Sequence, residues 1–179
     1  MTKDALRKKM LKIRKNTENK REKDAAILNT LTSQDFYKKA RSVMTYISYN
    51  GEVDTLKIIE KMLDDKKTLC APRCISDTEM EARRFESFLD LKPGAYGIKE
   101  PSGEILNNID LILVPGVAFN ENLHRIGYGK GYYDRFLKGH CAVLVGLFYE
   151  SQKCDFKEDE CDCPLDYIIT EEKIYKRGI

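Results

Sequence analysis

Ten consecutive residues, Arg125-Ile-Gly-Tyr-Gly-Lys-Gly-Tyr-Tyr-Asp134, hold three glycines, two cations, three tyrosines and a carboxylate. Gly127, Gly129 and Gly131 alternate, which frees the backbone to enter positive-φ conformations that other residues avoid. Successive amide N–H groups can then converge on one concavity that suits an anion. Arg125 and Lys130 add fixed positive charge, and Asp134 adds a ligand for a hard divalent cation. An anion cradle beside a cation ligand is the equipment of a nucleoside triphosphate–magnesium site. The spacing matches neither a Walker A sequence nor a dinucleotide-binding fingerprint.

The surroundings suit such a loop. Just upstream, Leu111-Ile-Leu-Val-Pro-Gly116 reads as a buried strand ending in a turn, and an apolar helix is expected from Gly131 to Leu137. Ligands of open α/β sheets bind at the carboxyl ends of strands. Further strands are expected over 42–48, 68–72, 80–88, 110–114, 142–148 and 167–170. Residues 1–30 read as one helix that continues or bends near Ala25, followed by a short helix through Ala40 and another over Leu56–Leu63. Residues 92–97 and 99–103, rich in Pro and Gly, read as loop. Strands alternate with helices, and the central runs are almost continuously apolar. The fold class is therefore α/β: a single three-layer α/β/α domain with a mostly parallel sheet.

The chain has 179 residues, enough to bury a substantial core as one domain. A formal net charge of +2 is too small to argue for nucleic acid. No apolar run approaches the length of a membrane-spanning helix, and the charged start lacks the apolar region of an export signal. Six cysteines without an export signal read as reduced thiols, and Cys161-Asp-Cys163 alone lacks the second pair a zinc site needs.

Other residues stay open on spacing alone. Lys3, Arg7 and Arg14 share one helix face, which reads as a solvated basic face or, on the rival reading, an RNA contact. Glu52 is either a carboxylate near a helix start or a ligand anchor at a strand end. Asp162 sits in an acidic cluster with Asp155, Glu158, Asp159 and Glu160, the usual composition of solvated surface. His124 and His140 read as loop or surface residues.

Val114-Pro-Gly-Val-Ala-Phe119 followed by the Arg125–Arg135 segment closely resembles the hallmark of 5-formyltetrahydrofolate cyclo-ligases, also called methenyltetrahydrofolate synthetases. The similarity extends along nearly the whole chain. It takes in Lys3-x-x-x-Arg7, Tyr46-Ile47, Glu52-Val-Asp54, Pro72-Arg73, the Pro93–Pro101 segment and Asp162-x-Pro-Leu-Asp-x-Ile-Ile-Thr170. Three positions depart from the family pattern: Asn120 stands where Asp is usual, Leu123 where Gly is usual, and Cys161-Asp162 where many bacterial members have His-Asp. The leucine is expected to bend the loop before Arg125 differently.

The resemblance implies ATP-dependent cyclisation of 5-formyltetrahydrofolate to 5,10-methenyltetrahydrofolate, with release of ADP and phosphate. It implies residues 1–179 as a single cyclo-ligase domain, its N-terminal helix packed near the nucleotide site. ATP would be held by Lys3, Asp4, Ala5, Leu6, Arg7 and the stretch Arg125, Ile126, Gly127, Tyr128, Gly129, Lys130, Gly131, Tyr132, Tyr133. Folate would be contacted by Ile47, Glu52, Tyr96, Tyr128, Gly129, Lys130, Gly131 and Tyr132. Arg125, Lys130 and Tyr133 are the implied catalytic residues, and Asp134 with Asp162 the implied ligands of Mg2+. The expected partners are small molecules, not nucleic acid or membrane, for a cytoplasmic monomer. Rival readings are a sugar-phosphate isomerase or acyl-CoA transferase on a similar scaffold, and a nucleotide-responsive binding module without catalysis.

Overall fold

The computed structural model describes residues 2–159 and 161–178. Met1, Ile179 and Glu160 of the acidic cluster lie outside the described residues. Helix α1 (Lys3–Lys15) begins where the Thr2 hydroxyl accepts the Ala5 amide at 3.2 Å. It stops at Asn16, and α2 (Lys20–Ser33) starts after Asn19, which takes a left-handed φ of 50°. The single helix expected over 1–30 is therefore two. Asn tolerates the left-handed turn that separates them. Helix α3 (Asp35–Lys39) leads into strand β1 (Ser42–Met44).

Ladder pairing of β1 ends at Met44, short of the expected Ser48, because the chain leaves the sheet there toward the cavity described below. Helix α4 (Leu56–Asp64) follows, its first amide, on Leu56, capped by Asp54 Oδ1 at 2.9 Å. The Thr55 hydroxyl instead accepts Ser48 N at 2.9 Å, tying the β1 exit to the start of this helix. Strands β2 (Thr68–Cys74) and β3 (Met80–Phe85) pair antiparallel. The expected loop at 92–103 contains a small hairpin, β4 (Leu91–Pro93) with β5 (Lys99–Pro101), turned by Ala95–Gly97. Strand β6 (Leu111–Val114) precedes a second small hairpin, β7 (Ala118–Phe119) with β8 (Arg125–Ile126). Helix α5 (Tyr132–Leu137), β9 (Val143–Leu147), β10 (Tyr167–Ile169) and β11 (Ile174–Lys176) complete the chain.

The main sheet has seven strands in the order β11-β10-β9-β6-β1-β2-β3. The five inner strands are mutually parallel, and only the edges, β3 and β11, run antiparallel to their neighbours. Successive residues of an inner strand face opposite ways, so each contributes to two cores. Val43, Leu69, Leu111, Leu113 and Val145 pack with Ile27, Leu31, Ile58, Ile59 and Met62 of α2 and α4. Met44, Cys70, Ile112, Val114 and Leu144 pack on the other face with Phe119, Leu123, Leu137, Phe148 and Leu165. Helix covers the first face densely, whereas the second is closed by the short α5 and by loop residues.

A third, smaller cluster positions the N-terminal helix. Leu6 and Met10 pack on Val117, Ala118 and Ile126 of the β7–β8 hairpin. Burying two such side chains contributes roughly 3–6 kcal/mol of transfer free energy, and it fixes α1 against the base of the glycine loop.

The sheet changes direction at β1 and β6. From β1 the chain proceeds to β2 on one side, and from β6 to β9 on the other, although β1 and β6 are adjacent. The segments leaving their carboxyl ends diverge and leave a crevice.

Candidate active site

That crevice is a cavity of ≈ 360 Å³. Tyr46, Ile47, Tyr49 and Glu52 enter from the β1 exit, and Pro115 from the β6 exit. Arg125, Gly127, Tyr128, Lys130, Gly131, Tyr132, Tyr133 and Asp134 enter from the glycine loop and the start of α5. Pro72, Cys74 and Met80 come from the β2–β3 pair, and Ala95, Tyr96, Ile98 and Glu100 from the β4–β5 hairpin.

Two of the three loop glycines use their freedom: Gly129 at φ 98° and Gly131 at φ 69°. Gly127 does not adopt a positive φ, so the expectation of three such positions holds for two. Arg7 lies over Gly129; a Cβ there would sit 3.4 Å from its guanidinium carbon. Its Nε donates to the Gly127 carbonyl at 2.7 Å, and Asp4 pairs with it from one turn earlier. Lys3 donates to Asp162 at 2.8 Å and to Asp159 at 2.6 Å. The glycine loop is thus a partition. Its cavity side carries the residues expected for folate, except Gly129, which is not part of the cavity wall. Its other side meets Leu6 and Arg7. Neither these two nor Lys3, Asp4 and Ala5 line the cavity. Leu6 and Ile126 are buried in the third cluster, so their side chains serve packing.

Arg125 is only 4 % exposed and donates to Asp134 Oδ1 at 2.8 Å. Its Nε and the Tyr133 hydroxyl are buried without a hydrogen-bond partner among the described residues. Such orphans invite a ligand. Burial pushes the Tyr133 phenol well above its ordinary value, so it remains a donor. Lys130 is exposed at the cavity rim, and its ammonium makes no ion pair among the described residues.

Glu52 is 7 % exposed. Its carboxylate accepts the Tyr128 hydroxyl at 2.6 Å and the Tyr49 amide at 2.8 Å. Burial raises its carboxyl above the usual range, against the opposing effects of the Tyr128 bond and the Arg14 charge. The basic face assigned to Arg14 is not solvated: the residue is 1 % exposed, with Nη1 on the Gly116 carbonyl at 3.0 Å and Nη2 on Asn50 O at 2.9 Å and Tyr128 Oη at 2.7 Å. A signal existed in the sequence, since Leu6, Met10 and Arg14 continue one stripe at intervals of four and an arginine in an apolar stripe faces the interior. Glu100 and Cys74 were also missed as individual site residues; only the β4–β5 hairpin and the β2 end bring them to the cavity. Glu100 Oε1 accepts the amides of Cys74 and Ala95, each at 3.3 Å. Tyr96, at φ 57°, meets the Tyr132 hydroxyl at 3.2 Å across the cavity mouth.

The departures have local explanations. Leu123 itself adopts the left-handed backbone at φ 63°, where glycine would be unstrained. Its buried side chain and a 2.9 Å bond from Leu165 N to its carbonyl hold it there. Asn120 Nδ2 donates to Glu158 at 2.8 Å while its Oδ1 accepts the His124 amide at 3.0 Å, a pairing an ionised aspartate could not make. Cys161 is exposed, and all six cysteines are free thiols.

The 5-formyltetrahydrofolate cyclo-ligase family model matches residues 1–171. The chain belongs to this family. It is 33 % identical to the 5-formyltetrahydrofolate cyclo-ligase of Mycoplasma pneumoniae over 96 % of its own length and 100 % of the relative's. The solved structure of Aquifex aeolicus 5,10-methenyltetrahydrofolate synthetase superposes with a TM-score of 0.87 at 36 % identity, covering 98 % of this chain and 93 % of that one. The Mycoplasma pneumoniae synthetase structure gives 0.80 at 29 % identity, covering 96 % and 99 %. The α/β class and mostly parallel sheet expected from the sequence agree with these neighbours.

Proposed function

We propose that the cavity at the β1/β6 crevice is where the chain carries out its family's reaction, the ATP-dependent cyclisation of 5-formyltetrahydrofolate to 5,10-methenyltetrahydrofolate with release of ADP and phosphate. The activity is that of an ATP-dependent carbon–nitrogen ligase. The observation that carries the placement is the convergence of Glu52, Arg125, Lys130, Tyr133 and Asp134 on one cavity at the sheet's switch point.

The chemical difficulty is a formamide, whose carbonyl carbon is deactivated by nitrogen donation and whose oxygen is a poor leaving group. Transfer of the γ-phosphoryl to that oxygen, with departure of ADP, removes the difficulty. N10 then attacks the formyl carbon, gives up its proton, and phosphate departs with the former formyl oxygen. The protein needs no covalent nucleophile; it must align two substrates and stabilise charge.

Arg125 and Lys130 face the developing charge on the phosphoryl group, Arg125 from a desolvated position where its charge acts most strongly. Tyr133 offers its unpartnered hydroxyl to a substrate oxygen. Glu52 accepts an N–H of the folate, with Ile47, Tyr96, Tyr128 and Tyr132 supplying the apolar and aromatic walls. Lys3 and Arg7 hold the nucleotide from the α1 side of the loop. The chain acts as a single-domain monomer in the cytoplasm on this reading; no helix among the described residues is long and apolar enough to cross a membrane.

Magnesium fits the donors present. Asp134 uses Oδ1 for Arg125 and leaves Oδ2 without a protein donor among the described residues, and Asp162 Oδ1 is likewise uncommitted. Magnesium commonly takes only one or two protein carboxylates and completes its shell with phosphate oxygens and water. An ion on Asp134 would offset charge on the triphosphate, whereas Asp162 lies off the cavity wall beside Lys3.

The test is direct. Incubation with 5-formyltetrahydrofolate, ATP and magnesium should give the near-ultraviolet absorbance of the methenyl product, matched mole for mole by ADP. ATP turnover indifferent to folate, or none, would overturn the assignment.

A further inference from the structure

Arg14 is the one fully buried arginine among the described residues, and it joins segments from three different parts of the chain. One nitrogen reaches Gly116 O, just past the β6 exit. The other reaches Asn50 O in the turn that precedes Glu52, and the hydroxyl of Tyr128 in the glycine loop. Tyr128 in turn donates a hydrogen bond to Glu52, 2.6 Å away, while Arg14 itself stays 3.9 Å from that carboxylate. The hydroxyl therefore accepts from the arginine and donates to the glutamate, so its direction is fixed at both ends. Arg14 does not line the cavity, but the two residues it orients do.

We propose that Arg14 is a positioning residue for the folate end of the site, acting through Tyr128 and Glu52. This rests on the folate reading of the cavity given above. A planar guanidinium can satisfy two carbonyls and one hydroxyl at once; an ammonium on a flexible stem cannot hold all three in that geometry. The groups facing Glu52 are Arg14 from α1, Lys20 from α2, Tyr46 after β1, the Tyr49 amide, Tyr128 from the glycine loop, Tyr133 from α5, and Tyr149 after β9, whose hydroxyl lies 3.5 Å from the Glu52 carbonyl. Arg14 and Lys20 are the cations in that set, and Arg14 exerts the stronger effect. Its removal deprives the ionised carboxylate of its chief compensating charge.

The test uses the intact chain with Arg14→Met, Arg14→Lys and Tyr128→Phe. Steady-state kinetics and calorimetric titration with 5-formyltetrahydrofolate are read against pH. Arg14→Met should raise the folate KM about tenfold or more, the size of one misplaced charge-assisted hydrogen bond, with the ATP KM nearly unchanged. The acid limb of kcat/KM for folate should also move to higher pH, which a general loosening of the fold would not produce. Arg14→Lys should keep that limb near its original position yet still bind folate more weakly. Wild-type folate KM and acid limb in Arg14→Met would overturn the proposal. Should that variant not fold, unchanged folate binding in both Arg14→Lys and Tyr128→Phe would do so. A wild-type chain that binds no folate defeats the site assignment itself. A wild-type chain that binds it as tightly as all three variants defeats only the role of Arg14.

Discussion

Arg125 and Asp134 clasp the glycine loop from its two ends, with Nη1 of the arginine 2.8 Å from Oδ1 of the aspartate. The arginine side chain is 3 % exposed and the aspartate 27 %, so the pair lies at the boundary between interior and cavity. The same contact that closes the loop also aims a carboxylate oxygen away from the arginine.

Asp134→Asn keeps the shape of that clasp and removes its negative charge. The concentration of magnesium needed for half-maximal activity should rise. Unfolding free energy in urea should fall by about 1–2 kcal/mol, between the values for exposed and buried pairs. A magnesium titration identical to wild type would remove Asp134 from metal binding.

Lys130 stands at the rim and makes no ion pair among the described residues. Lys130→Ala should therefore leave the melting temperature unchanged and lower kcat/KM by at least ~10²-fold, the usual loss for a preorganised charge-stabilising donor. Turnover at the wild-type rate would show that its charge plays no part in the chemistry.

Burial raises the Glu52 carboxyl, so the folded chain binds its proton more tightly than the unfolded chain does. Between the ordinary carboxyl range and that raised value, stability falls as pH rises, because the native state must release a proton it favours. Glu52→Gln escapes this penalty. Its melting temperature at pH 7 should equal or exceed that of wild type, with the difference shrinking as pH drops through the carboxyl range, while the folate KM rises. A variant less stable at pH 7 than at pH 4, relative to wild type, would contradict the sign.

Gly103 passes so close to β3 that an added Cβ would lie 2.2 Å from the Arg84 carbonyl oxygen, which is backbone and cannot swing aside. Gly103→Ala should lower stability by about 1–3 kcal/mol through overpacking. Because Gly103 is outside the cavity wall, kinetic constants well below the melting temperature should be retained. Equal denaturation midpoints for the two proteins would refute the steric argument.

The inner strands were readable because parallel strands buried on both faces leave uninterrupted apolar runs such as Leu111–Val114. The β4–β5 hairpin was not, since Pro93, Gly94, Gly97 and Pro101 give it the composition of a loop, and β7 and β8 are two residues each, too short to show alternation. Strand β11 was missed for the same lack of length. In the site, the glycine loop was legible because its chemistry is contiguous. Glu52 was ambiguous because its burial depends on Tyr128, far away in sequence, and Arg14 was misread because its acceptors, Gly116, Asn50 and Tyr128, come together only in the fold. The left-handed Leu123 shows the limit of residue preference, since tertiary burial overrides the local cost.

Docking of α1 by Leu6 and Met10 places Lys3 beside Asp162 and the Arg7 guanidinium over Gly129. Anything fused ahead of Lys3 would crowd the ion pairs that Lys3 makes with Asp159 and Asp162. On the nucleotide placement proposed above, an affinity handle or surface-immobilisation linker at that end would weaken ATP binding while leaving the fold intact, and so imitate a defective enzyme. Such attachments belong beyond β11, at the sheet's far edge, where no catalytic group would meet them.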